Sequence, residues 1–353
     1  MKKTLFILVL FPILLFQGCK NDLDINGEYK NITIVYGVIN PSSQRQYIRI
    51  NRAFLTEGNA IIAAQVADSS NYPYMLNVSI NEFNANKQLI KTYVLDTIHL
   101  PKTSGAFNTG YQPYYYFDTP TIFGIYPHNS LTKDTVYLNP ENTFKINIIN
   151  PVTGDVAEAE TPLINNYHVS KPSVYTKYIP LNTTSRVNIE MKSVPNGKLY
   201  EAKFIFFYRE VFIENPNDTV FKQIEWNLGS VKSDRINGGE DVAISYIPYT
   251  FFNILKQRIP DLPNVRRFHG IVTPSGRVAD VQLIITVGAD ELSTYIDTNA
   301  PSGSIIQDKP VYSNITNGIG IFSAKRVVKL NYELSQPSVD TLRNGSVYYL
   351  NFQ

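Results

Sequence analysis

The chain has 353 residues, with 32 Lys and Arg against 30 Asp and Glu, and lacks the basic surplus that displaces counterions from nucleic acid; no nucleic-acid partner is expected. A single cysteine rules out an intrachain disulfide framework, so stability rests on buried apolar surface, for which the length provides one large core and more readily two. Only 18% of residues are charged while Tyr (24) and Phe (19) are abundant, a composition that suits pleated, half-buried surfaces and predicts a mainly β protein.

Lys2 and Lys3 precede an apolar run from Leu5 to Phe16, broken by Pro12, and Gly18 stands directly before Cys19. About a dozen apolar residues are too few to span a bilayer, so residues 1–18 read as a secretory signal peptide. The Gly18-Cys19 pair resembles a bacterial lipobox, in which the thiol is acylated and becomes the new N-terminus. The plain alternative is an ordinary signal peptide followed by a chance cysteine. Lipidation of Cys19 would make the chain an envelope lipoprotein, held by about 0.8 kcal/mol for each buried methylene. Without that leader and its two lysines, the 32 basic residues become 30, equal to the 30 acidic ones. Residues 19–30 read as a tether. Its start, Lys20 to Asp24, resembles the surface-export signal of Bacteroidota lipoproteins, or serves simply as a solvated spacer. The expected location is the outer membrane, facing the cell surface, with the periplasmic face still open.

Beyond the tether, Ile32, Ile34, Tyr36 and Val38 alternate up to the turn residues Asn40-Pro41, and Ile48 and Ile50 alternate with Arg49 and Asn51; each pattern predicts a strand. Ala60–Ala67 is read as a helical turn or a covering loop. Leu76, Val78 and Ile80 form the next alternation, and Asn84-Ala85-Asn86 turns the chain into Gln88–Leu95. After a long loop, Thr135–Leu138 and then Phe144, Ile146 and Ile148 resume it, followed by the turn Asn150–Gly154. Short strands with turn signals and no crossover helices predict an antiparallel sandwich over residues 31–165.

Alternation lapses between Pro162 and Pro172, where a domain boundary is expected. A second β domain then covers residues 166–353. Its strands are marked by Val187, Ile189 and Met191, by Tyr200, Ala202, Phe204, Phe206 and Tyr208, by Ile224, Trp226 and Leu228, and by Val278–Val287 and Val327–Tyr332. Helical insertions are expected at Pro248–Ile259, stopped by Pro260, and at Asp290–Ile296; Ser346–Asn351 closes the chain.

Few residues suggest chemistry. The four histidines, His99, His128, His168 and His269, show no metal-ligand spacing, and there is no nucleophile elbow or phosphate loop. Glu210, Glu214 and Asp218 are the conceivable carboxylate set, although a solvated face is the stronger reading. No catalytic residue, metal or cofactor is therefore expected, and the chain reads as a non-enzyme. The cluster Tyr111, Tyr114, Tyr115, Tyr116 and Phe117, with Phe123 and Tyr126, offers rings for a glycan or a partner protein, or else forms a strand with tyrosines on both faces. Asp-Thr followed by an aliphatic residue occurs at Thr97, Thr135, Thr219 and Thr341. This resembles the O-glycosylation acceptor of Bacteroidota, although Asp-Thr also suits the start of a strand after a turn.

Three stretches, Ile34–Ile39 with Ile48–Leu55, Phe144–Pro162, and Val311–Phe322, together resemble a family of Bacteroidota lipoproteins defined by a domain of unknown function. Its members often accompany TonB-dependent outer-membrane receptors. The resemblance implies an envelope location and an immunoglobulin-like first domain, and it brings no catalytic residues. In the third stretch, Gly318 and Gly320 suit positive φ or close backbone approach, with Tyr312 and Asn314 as hydrogen-bonding partners. The expected role is a lipid-anchored, non-enzymatic binding or accessory module for a β-barrel receptor. The alternative is a structural, assembly or adhesin/pilin-like subunit.

Overall fold

A computed structural model describes residues 31–56, 59–103, 108–120, 136–173, 175–273, 276–300 and 312–353. The expected signal peptide, Cys19, the expected tether with its Lys20–Asp24 start, Phe123, Tyr126, His128, Thr135 and Val311 lie outside the described residues.

The first half contains β1 (Thr33–Ile39), β2 (Arg45–Arg52), α1 (Ala60–Ala64), α2 (Ala67–Ser70), β3 (Asn77–Phe83) and β4 (Leu89–Val94). It continues with β5 (Asp96–Lys102), β6 (Gly110–Asp118), β7 (Thr143–Ile149) and β8 (Val156–Pro162). The strand order β1-β2-β6-β5 forms one layer and β4-β3-β7-β8 the other, all antiparallel. Their inner faces meet where the Tyr93 and Phe117 rings lie 4.7 Å apart and where Val78, Ile80, Phe144, Ile146 and Ile148 are buried. Val136 and Leu138 are buried without forming a strand; Tyr137 instead donates its amide to the Pro41 carbonyl.

The turn of the β1–β2 hairpin is fixed by a side chain. At the turn, the buried Gln46 amide accepts from the Asn40 N–H and donates to the Asn40 and Ser43 carbonyls, satisfying groups that the turn leaves unpaired. In β1 the inward residues are Val35, Gly37 and Ile39, so the face marked by Ile34 and Tyr36 points outward. Gly37 is required there: a β-carbon would lie 2.9 Å from side-chain atoms of both Ile48 and Phe322.

The second half contains β9 (Val169–Lys171), β10 (Tyr178–Ile179), β11 (Val187–Lys192), β12 (Leu199–Phe212), β13 (Thr219–Lys232) and β14 (Asp241–Tyr246). There follow α3 (Thr250–Arg258), β15 (Val265–His269), β16 (Ile271–Thr273), β17 (Gly276–Ala279), β18 (Val281–Gly288) and α4 (Asp290–Asn299). The chain ends with β19 (Gly318–Leu334), α5 (Gln336–Asn344) and a 3₁₀ turn at Tyr348–Leu350. Phe204 and Phe206 of β12 pack on Tyr246 of β14 and Phe251 of α3, so the sheet β14-β11-β9 and α3 cover one face of β13-β12-β18-β19. The run expected over Val278–Val287 is interrupted at Asp280. Its buried carboxylate accepts from the Leu334 amide and meets His269 Nδ1 at 3.0 Å.

β19 belongs to both halves. Gly318–Ala324 pairs in parallel with β1, and Lys325–Tyr332 pairs antiparallel with β18, so one ladder passes from β13 to β5 across residue 165. Gly320, at φ +110°, makes this possible, because a β-carbon there would lie 2.1 Å from the Val35 carbonyl oxygen. The Asn314 side chain accepts from the Phe322 amide and donates to its carbonyl. Tyr312, the other expected partner, makes no such bond among the described residues.

Candidate functional site: a cationic, aromatic cleft

The outward face of β1 and β2 bears a cleft of about 690 Å³. That lies within the roughly 300–1,000 Å³ of small-molecule sites. Ile34 and Tyr36 come from β1, Arg49, Asn51 and Arg52 from β2, Ala53 and Phe54 from the exit of β2, Ser70 from α2, Lys102 from β5 and Tyr114 from β6. Strand periodicity explains the set, since Tyr36 pairs with Arg49 and Ile34 with Asn51 in register, and paired residues share a face.

The floor is a hydrogen-bonded polar network. Arg49 donates from Nε to Asn51 Oδ1 at 2.7 Å and from Nη2 to Gln112 Oε1 at 2.9 Å. Asn51 in turn donates to the Ser70 carbonyl and to Asn71 Oδ1, which pins α2 over the end of β2. The Arg49 guanidinium carbon lies 5.5 Å from the Tyr114 ring centroid, within cation–π range, and Nη1 is left without a protein partner among the described residues. Arg52 donates to the Asp68 carbonyl at 2.7 Å, while its buried Nε has no partner among the described residues. With Lys102, the lining holds three cations and no carboxylate. At the far rim Tyr36 meets Tyr295 of α4 edge-on at 6.5 Å, and burial together with Tyr36 pushes the Tyr295 phenol up to about 12. The arrangement can hold an anionic group against Arg49 and a flat or apolar face against Tyr36, Phe54 and Tyr114.

β6 divides the aromatic cluster between its two faces. Tyr114 faces the cleft, with Tyr47 edge-on at 6.5 Å, and Tyr116 lies outside under the Arg45 guanidinium at 4.5 Å. Tyr115 and Phe117 point into the core, out of reach of a ligand on the outer face. Tyr115 accepts the Leu76 amide through its hydroxyl, and burial raises its phenol above the ordinary value. Tyr111 is 73% exposed and borders a second groove of about 400 Å³ with Tyr72, Tyr74, Met75 and His99. The other cleft residues, Arg49 and Asn51 above all, were not marked by the sequence. Their signal was that both faces of β1 are apolar, although one face should meet water.

The remaining predicted positions do not converge. Glu210 is buried in an ion pair, whereas Glu214 and Asp218 are exposed between β12 and β13. His168 is exposed and His269 buried. Thr97 and Thr219 open β5 and β13, respectively half-buried and exposed, but Thr341 lies within α5 and donates its hydroxyl to the Pro337 carbonyl. No group of three or more metal-ligating side chains occurs among the described residues, and none of their helices is long and apolar enough to cross a membrane.

No protein-family model matches the chain, and no curated protein matches it. Among solved structures, it is similar to trypsin-activated alpha-2-macroglobulin from Escherichia coli at 11% identity, over 85% of this chain and 16% of that one, with a TM-score of 0.16. It is also similar to Escherichia coli alpha-2-macroglobulin activated by porcine elastase, at 11% identity over 87% of this chain and 20% of that one, with a TM-score of 0.16. The chain thus spans a fifth or less of those molecules, in superpositions too loose to transfer fold or function.

Proposed function

We propose that this is a lipid-anchored envelope protein, acylated at Cys19, that acts as a non-enzymatic binding or accessory module beside an outer-membrane receptor. The single observation that carries the binding role is the cleft, with three cations, three aromatic rings and no carboxylate in its lining. Its fitting ligand is an acidic oligosaccharide, whose carboxylate pairs with Arg49 and whose sugar face stacks on Tyr36 or Tyr114. The sequence resemblance to receptor-associated Bacteroidota lipoproteins supports the accessory role, and the leader ending in Gly18-Cys19 supports the anchor.

Titration calorimetry with a uronic-acid oligosaccharide and its neutral counterpart tests the site. The acidic ligand should bind more tightly than the neutral one, and Arg49→Gln should weaken it at least tenfold, or about 1.4 kcal/mol. Equal affinity for wild type and Arg49→Gln, or no binding of either sugar, would remove the cleft from the proposal.

A further inference from the structure

The segment that follows β2 carries an apolar surface that the cleft does not use. Leu55, Ile61, Ile62 and Val66 are 49%, 63%, 65% and 53% exposed, all within twelve residues. Single exposed aliphatic residues are ordinary, but four in so short a stretch call for a partner. The segment is held in place. Asn59 caps α1 by accepting the Ile61 amide, the Ala64 carbonyl accepts from Asn108, and Arg52 holds the Asp68 carbonyl.

Its position identifies the partner. The Ala53 amide donates to the Ile32 carbonyl at 2.9 Å, so the segment leaves β2 beside the point where the tether enters β1. Eleven residues lie between Cys19 and Asn31, a reach of about 40 Å at full extension. An acylated Cys19 therefore confines this end of the sandwich to within that reach of the bilayer, and the cations Arg52 and Lys102 stand at the same end, suited to lipid phosphates. We infer that the α1 segment, through Ile61 and Ile62, is a second membrane contact that seats the first sandwich on the lipid surface. The acyl chains supply the attachment, and the segment fixes the orientation, since tethering makes even a weak second contact effective. The cleft is then held close to the membrane plane, at the level of a receptor in the same bilayer.

The inference rests on the lipid anchor, so its test monitors both. Full-length protein carrying Ile61→Cys or Gln44→Cys is produced with a labelled lipid precursor, purified and reconstituted into phosphatidylethanolamine/phosphatidylglycerol vesicles. The added thiol carries an environment-sensitive fluorophore, and brominated lipid serves as quencher. Gln44 is exposed at the opposite end of the hairpin. The expected result is lipid label on both proteins, with several-fold stronger quenching at position 61 than at position 44. Labelled protein with equal quenching at the two positions overturns the membrane seat and leaves the anchor standing. Unlabelled protein overturns the anchor, and the membrane seat with it. An Ile62→Ser version of the Ile61→Cys protein should lose most of the excess quenching; undiminished quenching would show that the probe itself drives insertion.

Discussion

Glu210 is the clearest case of a residue whose role depends on its surroundings. Its Oε1 accepts from Arg267 Nε at 2.9 Å and its Oε2 lies 2.6 Å from Lys222 Nζ. Burial works to raise the carboxyl, but Lys222 and Arg267 outweigh it and hold it below the usual carboxylate range. Arg267 is fully buried and also donates to the Leu350 and Pro260 carbonyls, so the ion pair ties the chain terminus to β12 and β15. Glu210→Gln leaves that guanidinium without its counter-charge and is expected to cost about 3–5 kcal/mol at neutral pH, read from urea unfolding. Because the folded carboxyl is depressed, its contribution is present above the unfolded value and fades as pH falls through the folded one. The gap between wild type and variant should therefore narrow in acid. A loss below about 1 kcal/mol at neutral pH would mean that the pair is not holding the terminus. The sequence offered Glu210 only within a conceivable carboxylate set with Glu214 and Asp218 and not as half of an ion pair, since its partner lies 57 positions away.

At the scale of elements, β19 carries the greatest burden, and Asn314 is its guide. With both bonds to Phe322, the Asn314 side chain acts as a short length of strand where β19 passes from β18 to β1. Asn314→Ala should cost about 1–3 kcal/mol by leaving these backbone groups unpaired. Amide exchange at Phe322 and along Gly318–Ala324 should quicken, while β12 and β7 remain protected; unchanged exchange at Phe322 would refute the role. The reading of Gly318, Gly320 and Asn314 from sequence alone anticipated the close approach but not the strand that approaches. Strands with strict alternation were legible, β3, β7, β11 and β12 among them, because one buried face imposes period two. α5 was not, because its buried set is only Ser338, Val339 and Leu342, too narrow a stripe to stand out. The long β19 was legible only from Val327 onward, since Gly320 to Ala324 are buried on both faces and lack alternation.

For the whole molecule, the question is how independent the two halves are. The lapse in alternation near Pro162 marks a real change of sheet, yet no local pattern could show that a strand from residues 318–324 returns to complete the first sandwich. The cleft was hidden for the same reason, because its lining is gathered from five separate elements and the exit of β2. Residues 31–165 expressed alone would leave one edge of β1 unpaired and remove Phe322 from beside Gly37. An exposed edge over an opened core favours aggregation. That fragment is expected to be poorly soluble or to lack dispersed amide resonances. A version carrying residues 312–324 on a flexible linker should recover both, because it restores the β1 ladder, the Asn314 bonds and the Glu158–Thr316 bridge. Full dispersion from 31–165 without the added strand would show that β19 is dispensable to the first sandwich, and that the chain divides after residue 165 as its alternation suggests.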